Sequence, residues 1–477
     1  MVRELRVESF YALLRDAASA SSSSPLLIFP SASDADSLCT LKIITHILSS
    51  DSLRYSVYPV SSFNDVEKYA GLNLHSSKES ISLLLINWGC HRDIRRFLKV
   101  SPEVRIFVID SHRPIHLHNL SKQNSQVIIL YTQEDEHHAD LAYDFDTSAL
   151  ANASDLNSDD EIDADSDSDD SDSDDDAEEE NRKRRRLSED PASDPVKLYG
   201  KLKAGYYKLG TFHGKPSGCL MFELAHSLRK NTNDLLWLAC ISLTDQYVHE
   251  RLTNERYQAA VMELEQHINS SGNLDPLTSV TLKDGTQIQA PETSRIFYED
   301  EPRLMLLREW NLFDSMLCSS YIATKLKTWS DNGLKKLKLL LARMGFPLLD
   351  CQKRFQYMSM EVKQRMKNEF DHFLPEYGLT EFYYRSFLRI HGYCSKVSAA
   401  DVVYGVTALL ESSVGKKREI SNAEKFWVAY SALSLNNLDQ LRKGMQNAIE
   451  IQRAILRQGS SAITKRGSSE AAENFAG

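Results

Sequence analysis

The sequence predicts an α/β N-terminal domain with a mostly parallel sheet, followed by a largely α-helical region, with a disordered acidic insert between the two. Three observations predict it. Five short apolar runs alternate with helix-length segments within the first 133 residues; apolar side chains almost vanish from Asn152 to about Pro195; and from Leu198 onward apolar residues recur at helical spacing.

The five runs are Leu26–Phe29, Ser56–Val60, Ile81–Ile86, Val104–Ile109 and Val127–Tyr131, each β-branched or leucine-rich and bounded by polar or turn residues. Between the first two, the segment Asp36–Leu48 sets Leu38, Leu41, Ile44 and Leu48 along one helical stripe. Strands that alternate with helices need crossover connections, which gives parallel pairing with helices over the sheet faces. Ligands of such sheets gather beyond the carboxyl ends of the strands, so the polar residues just after each run are the ones that matter.

The insert spans 151–196 and its charge accounts for that of the whole chain. Ala151 to Arg186 carries 16 acidic and five basic residues, a net of −11 that equals the chain's own, while 51 basic residues balance 51 acidic ones elsewhere. A segment with so few apolar side chains cannot bury enough surface to offset its conformational entropy. Its end, Arg182, Lys183, Arg184, Arg185 and Arg186, fits a nuclear-import signal, with counter-charge to the acidic run as the plainer reading. Ser158, Ser166, Ser168, Ser171 and Ser173 each precede acidic residues and are candidates for phosphorylation by an acid-directed kinase.

After the insert, residues 197–250 read as helices that complete the N-terminal domain and 251–458 as a helical middle region. Helical periodicity marks Leu220–Leu228, Leu235–Ile241, Glu255–Ile268, Leu304–Leu312, Leu334–Met344, Glu361–Phe373, Ala400–Leu410, Ala423–Leu433 and Leu438–Leu456. Residues 459–477 read as a disordered tail. Lys325, Lys327, Lys335, Lys336 and Lys338 could meet nucleic-acid phosphates, although a solvated helix face is the simpler account. No uncharged apolar run reaches the ~18 residues that a bilayer requires, so no membrane role is expected. Seven widely spaced cysteines without a C-x-x-C pair indicate reduced, mostly buried thiols and neither a disulfide framework nor a zinc module.

Chemistry, if any, belongs to the acidic residues after the strands. Asp34 and Asp36 follow the first run, Asn87 the third, and Asp110 the fourth, with His112 two residues on; Asp245 ends the apolar run Leu235–Leu243. Carboxylates gathered at one sheet edge beside a histidine are what one or two hard divalent ions require. Taken singly, each is better read as a helix N-cap.

Together they carry a resemblance. D-x-D after the first strand, an apolar strand ending in N-W-G, then D-S-H-R-P and a later S-L-T-D-Q-Y resemble the four motifs of the DHH, RecJ-type phosphoesterases, H-x-x-D-x-D, D-x-G, D-H-H and a late Asp. On that pattern Asp34, Asp36, Asp110, His112 and Asp245 are retained, while Ser31, Asn87 and Ser111 stand where metal ligands are expected. Losing one anionic and two imidazole ligands leaves too little to hold two dications and a bridging water, so the resemblance implies a vestigial site that does not turn over and a protein without a cofactor. The retained carboxylates are weak metal candidates at most. An active metal-dependent single-strand exonuclease or nucleotide phosphodiesterase is the alternative, and an acidic-tract histone chaperone a third.

This altered site, the acidic insert ending in basic residues, and the stretches Asn233–Asp245 and Ser398–Val403 resemble the cell division control protein 45 family, from the N-terminus to about Arg457. The resemblance implies a nuclear, non-catalytic DNA replication factor that joins the minichromosome maintenance hexamer and the GINS tetramer in the active replicative helicase. Contacts with the replicative polymerase and origin-loading factors follow from it, with single-stranded DNA as a further candidate ligand. No Walker-type phosphate loop occurs, in keeping with ATP hydrolysis by the hexamer. Members carry a further C-terminal α/β domain, which the final residues are too short to supply, so a shortened form is expected.

Overall fold

The computed structural model describes residues 3–4, 6–20, 26–74, 81–98, 104–122, 124–132, 146–154, 195–271, 279–281, 287–289, 295–391, 395–411 and 421–475. They divide into two compact units. One holds Met1–Phe29, Ser52–Val57 and Ser62–Lys215; the other holds Pro30–Asp51, Tyr58–Ser61 and Pro216–Gly477.

The first unit is built on strands β1 (Arg3–Glu4), β2 (Leu26–Pro30), β3 (Tyr55–Val57), β4 (Ser82–Ile86), β5 (Arg105–Ile109) and β7 (Val127–Leu130), in the order β1-β7-β5-β4-β2-β3. The pairs β1–β7, β7–β5, β5–β4 and β2–β3 are all parallel. Every residue of β2 and β4 is buried, as strands covered on both faces must be. Helix α1 (Val7–Ala20) buries Phe10 edge-on against Phe107 of β5, ring centroids 5.7 Å apart. The order places β3 on one side of β2 and β4 on the other, a topological switch of the kind at which α/β sheets bind ligands. A second, two-stranded pairing joins β6 (His112–Arg113) to β8 (Phe212–His213). The five predicted runs are therefore strands, each within a few residues of the expected bounds.

The second unit is mostly helical. Helix α2 (Ala35–Ser50) belongs to it, although it directly follows β2 in sequence. It packs against the helices Ser217–Ser227 and Asn233–Val248, which explains why twelve of its sixteen residues are buried rather than a single stripe. Further along, the helices Leu312–Cys318, Asp331–Arg343 and Met360–Phe373 enclose a core that includes Phe313, Met316, Leu337, Leu341, Phe346 and Phe370.

Several expectations are corrected. Leu304–Leu312 is not a helix: a turn occupies it, pinned by Met305 N–H donating to Ser319 Oγ (2.8 Å), and the helix starts only at Leu312, where Asn311 accepts from Asp314 N–H (2.7 Å). The helical middle also contains an antiparallel sheet of Ile296–Pro302, Tyr383–His391 and Ser395–Ser398. The helix Thr147–Ser154 crosses the expected start of the insert at 151. The tail expected to be disordered at 459–477 instead continues the last helix, which runs from Leu438 to Phe475. Gly459 does not break it; Ser460 next door donates to the Trp329 carbonyl (2.9 Å), an anchor that no local preference reveals. Arg182–Arg186 and the five candidate phosphorylation serines lie outside the described residues. Cys39, Cys90, Cys219, Cys240, Cys318 and Cys351 are free and buried, and Cys394 lies outside the described residues. Among the described residues no helix is long and apolar enough to cross a membrane.

Two glycines let the helices Ala399–Glu411 and Leu438–Phe475 cross closely. A Cβ on Gly444 would lie 2.3 Å from the Gly405 carbonyl oxygen, and one on Gly405 would lie 3.1 Å from Leu441 and Met445 side-chain carbons. Backbone cannot yield as a side chain can. Gly444→Ala should therefore cost about 2 kcal/mol or more and Gly405→Ala about 1 kcal/mol, read as shifts in denaturant midpoint.

Candidate functional site

Each acidic strand-end residue has a definite occupation. In the first unit Asp110 follows β5 and is 3 % exposed. Its Oδ2 accepts from Cys90 N–H (3.3 Å), and its Oδ1 accepts from His112 N–H (2.9 Å) and from the His112 ring at Nδ1 (2.8 Å). A carboxylate only accepts, so the proton sits on Nδ1 of His112. Burial raises the Asp110 pKa, but the bond and charge of His112, its backbone N–H and the Arg113 guanidinium outweigh burial and hold it below the usual carboxylate value. Arg113 in turn donates to the Asp110 and His112 carbonyls (2.7 and 2.9 Å).

Asn87 ends β4 at φ +50°, a left-handed conformation that asparagine tolerates better than most residues. Its backbone N–H donates to the Ile109 carbonyl (2.7 Å) and its Oδ1 accepts from Ser111 N–H (3.2 Å), tying the ends of β4 and β5 together. Ser111 is buried, and its carbonyl accepts from Gly214 N–H (2.8 Å).

In the second unit Ser31 shares a hydroxyl–hydroxyl bond with Ser33 (2.7 Å) and forms a parallel bridge with Val60. Asp34 is the N-cap of α2, accepting from Ser37 N–H (2.6 Å). Asp36 does more. Its Oδ2 accepts from Ser217 N–H (3.0 Å), and its Oδ1 accepts from Gly218 N–H (2.9 Å) and from the Ser242 hydroxyl. The helix Ser217–Ser227 begins after Pro216, whose side chain cannot cap, so Asp36 caps it from 180 residues earlier in the chain. Gly218 is required at the contact, since a Cβ there would lie 2.3 Å from Ser242 Oγ. Asp245, 1 % exposed inside the helix Asn233–Val248, pairs with His249 Nδ1 (3.1 Å) and Arg251 (3.5 Å) near that helix's C-terminus.

Asp110 is bonded to His112 within the first unit, and within the second unit Asp34, Asp36 and Asp245 are each engaged by different groups. Among the described residues no three His, Cys, Asp or Glu side chains are placed to hold a metal ion. Asp36 and Asp110 accept instead from backbone N–H groups, a hydroxyl and the His112 ring, while Asp245 is held by ion pairs with His249 and Arg251. Asp34 matches its reading as an N-cap; the distant capping by Asp36 could not be read locally, because its partners lie far along the sequence. Sequence reasoning also missed Arg308, which ion-pairs with Glu301 and Asp401 in the second unit.

These features define a parallel α/β protein with a mostly helical second unit, in which the strand-end carboxylates are engaged in caps and ion pairs. The comparisons give the class a family. Residues 26–475 match the family model CDC45. The cell division control protein 45 homolog of Schizosaccharomyces pombe is 31% identical over 91% of this chain and 73% of its own length. The human protein of that name is 30% identical over 89% of this chain and 71% of its own. A crystal structure of CDC45 from Entamoeba histolytica shares the fold, with a TM-score of 0.68 at 19% identity over 96% of this chain and 74% of that one. The chain belongs to the CDC45 family.

Two outcomes test the site's architecture. Asp36→Ala should cost about 3 kcal/mol in denaturant titration, because it strands three buried donors, whereas Asp34→Ala should cost about 1 kcal/mol as an ordinary cap loss. Burial lowers the His249 pKa, but the contact with the Asp245 carboxylate and carbonyl more than compensates, leaving it above its ordinary value. That stabilisation is complete below the unfolded-state pKa of about 6.5 and is lost as pH rises through the folded value. The stability gap between the wild type and His249→Gln should therefore narrow as pH rises above about 6.5.

Proposed function

We propose that this chain is a non-catalytic DNA replication factor that acts in the nucleus as a structural member of the replicative helicase, with the minichromosome maintenance hexamer and GINS as its partners. The match to the CDC45 family from residue 26 to 475 carries the reading. The chemistry of the site supports it: an asparagine and two serines stand at expected ligand positions, and Asp36, Asp110 and Asp245 are engaged by groups of the protein itself. On this reading the protein supplies contact surface, and ATP hydrolysis falls to the hexamer. Arg182–Arg186 serve nuclear import, and the acidic insert, phosphorylated at its serines, tunes contacts with basic partners. The replicative polymerase, origin-loading factors and single-stranded DNA are further proposed partners.

Purification of the tagged chain from dividing cells should recover hexamer and GINS subunits, and their absence would count against the assignment. The purified chain should leave single-stranded DNA intact in manganese. Hydrolysis that disappears in Asp110→Ala would instead establish an active phosphoesterase. Changing Arg184, Arg185 and Arg186 to alanine should hold a fluorescent fusion in the cytoplasm.

A further inference from the structure

Large apolar side chains exposed on the surface cluster at one place in the second unit. Leu348 (36 %), Leu349 (80 %), Tyr357 (71 %) and Met360 (66 %) stand exposed within thirteen residues. The segment that bears them is a fixed shape. Asp350 accepts from Lys353 Nζ (2.9 Å) and from Ser359 N–H (3.2 Å), Phe355 N–H donates to the Trp310 carbonyl (2.8 Å), and Cys351, Met358 and Val362 are buried in the core beneath. Solvent therefore meets a preformed apolar ridge, whose exposure is not the result of a loose loop.

The charge around the ridge is mostly basic. From Lys335 to Lys367 the sequence has nine Lys and Arg against two acids, Asp350 and Glu361; of these cations Lys353 is paired with Asp350, Arg343 with Glu376 and Arg365 with Glu369. Arg354 and Lys363, within the ridge segment, have no ion-pair partner among the described residues; Lys363 lies over the Phe355 ring (5.0 Å) and donates to the Gln356 carbonyl (3.1 Å).

We propose that this ridge docks an acidic, amphipathic segment of another protein, one that places large apolar residues against Leu349, Tyr357 and Met360 and carboxylates against Arg354, Lys363 and the neighbouring lysines. The mixed character selects that occupant. A nucleic-acid backbone would answer the cations but leave four apolar side chains in water. The chain's own acidic run, Asp159–Glu180, has Ile162 as its only large apolar residue and answers only the charge. Nothing in this inference depends on the replication reading.

Fluorescence anisotropy on the full chain tests it with three labelled probes: a peptide of alternating Asp/Glu and Leu/Phe at helical spacing, the same peptide with Ser for Leu and Phe, and a single-stranded oligonucleotide. The amphipathic peptide should bind saturably. Leu349→Asp and the pair Arg354→Glu, Lys363→Glu should each weaken it about tenfold, and the Ser peptide should bind at least about tenfold more weakly. Leu349 is so exposed that its substitution leaves folding intact, which an unchanged melting temperature verifies. Absence of saturable binding, equal binding of the two peptides, or indifference to Leu349→Asp overturns the proposal. An oligonucleotide that binds more tightly than the amphipathic peptide makes the surface a nucleic-acid face and overturns it too, as does peptide binding that needs deletion of residues 155–180.

Discussion

The helical unit depends on one buried carboxylate. Asp36 sits in the first turn of α2, yet its oxygens take two backbone N–H groups at the start of the helix Ser217–Ser227 and the hydroxyl of Ser242 on the helix Asn233–Val248. An early helix and two consecutive helices far along the chain thus meet at one group. The arrangement is specific for chemical reasons. Pro216 cannot cap the helix it precedes, Gly218 leaves room for Ser242, and an anion at a helix N-terminus is favoured by the dipole as well as by the donors. A neutral or larger side chain at position 36 would satisfy at most part of this set.

The same economy recurs where the helical unit carries its antiparallel sheet. Arg389, 1 % exposed on Tyr383–His391, ion-pairs with Asp234, the acidic residue in the first turn of the helix that bears Ser242. Arg308 joins Glu301 of one strand to Asp401 of the helix Ala399–Glu411. Burial, with Glu301 and Glu309 nearby, lifts the Asp401 carboxyl to about 7 despite the Arg308 guanidinium. These pairs bind sheet to helix, and because Arg389 is buried while Asp234 is exposed, loss of Asp234 would leave the Arg389 guanidinium uncompensated in a poor solvent for ions.

What was legible in the sequence follows from range. Five of the six strands of the parallel sheet are apolar runs of four to six residues whose local pattern suffices, so they were read almost to their ends, whereas the two-residue Arg3–Glu4 carries no such pattern. N-capping by Asp34 was legible for the same reason. The work of Asp36 was not, because its signal is a proline 180 residues away that lacks a cap. Leu304–Leu312 has helical spacing, yet the Ser319 hydroxyl and the Asn311 cap override it. The strand Tyr383–His391, Y-Y-R-S-F-L-R-I-H, mixes aromatic and branched residues with Arg385, Ser386 and Arg389 and has no clean alternation, so its local pattern did not mark it.

The residues proposed as altered ligand positions have structural roles of their own. Asn87 occupies a left-handed backbone position open to asparagine, aspartate or glycine, and its amide oxygen holds Ser111 N–H at the end of the neighbouring strand. Replacing an aspartate by asparagine keeps both the conformation and that acceptor, and removes only the negative charge. Ser31 shares a hydroxyl–hydroxyl bond with Ser33, two residues on. On the proposed reading, an asparagine at position 87 gives up a charge while its amide oxygen still accepts from Ser111 N–H. Asp110, by contrast, serves Cys90 and His112 directly, and Asp36 serves three donors. Aspartates with such structural duties persist for reasons independent of catalysis, so their presence in the sequence is weak evidence for it.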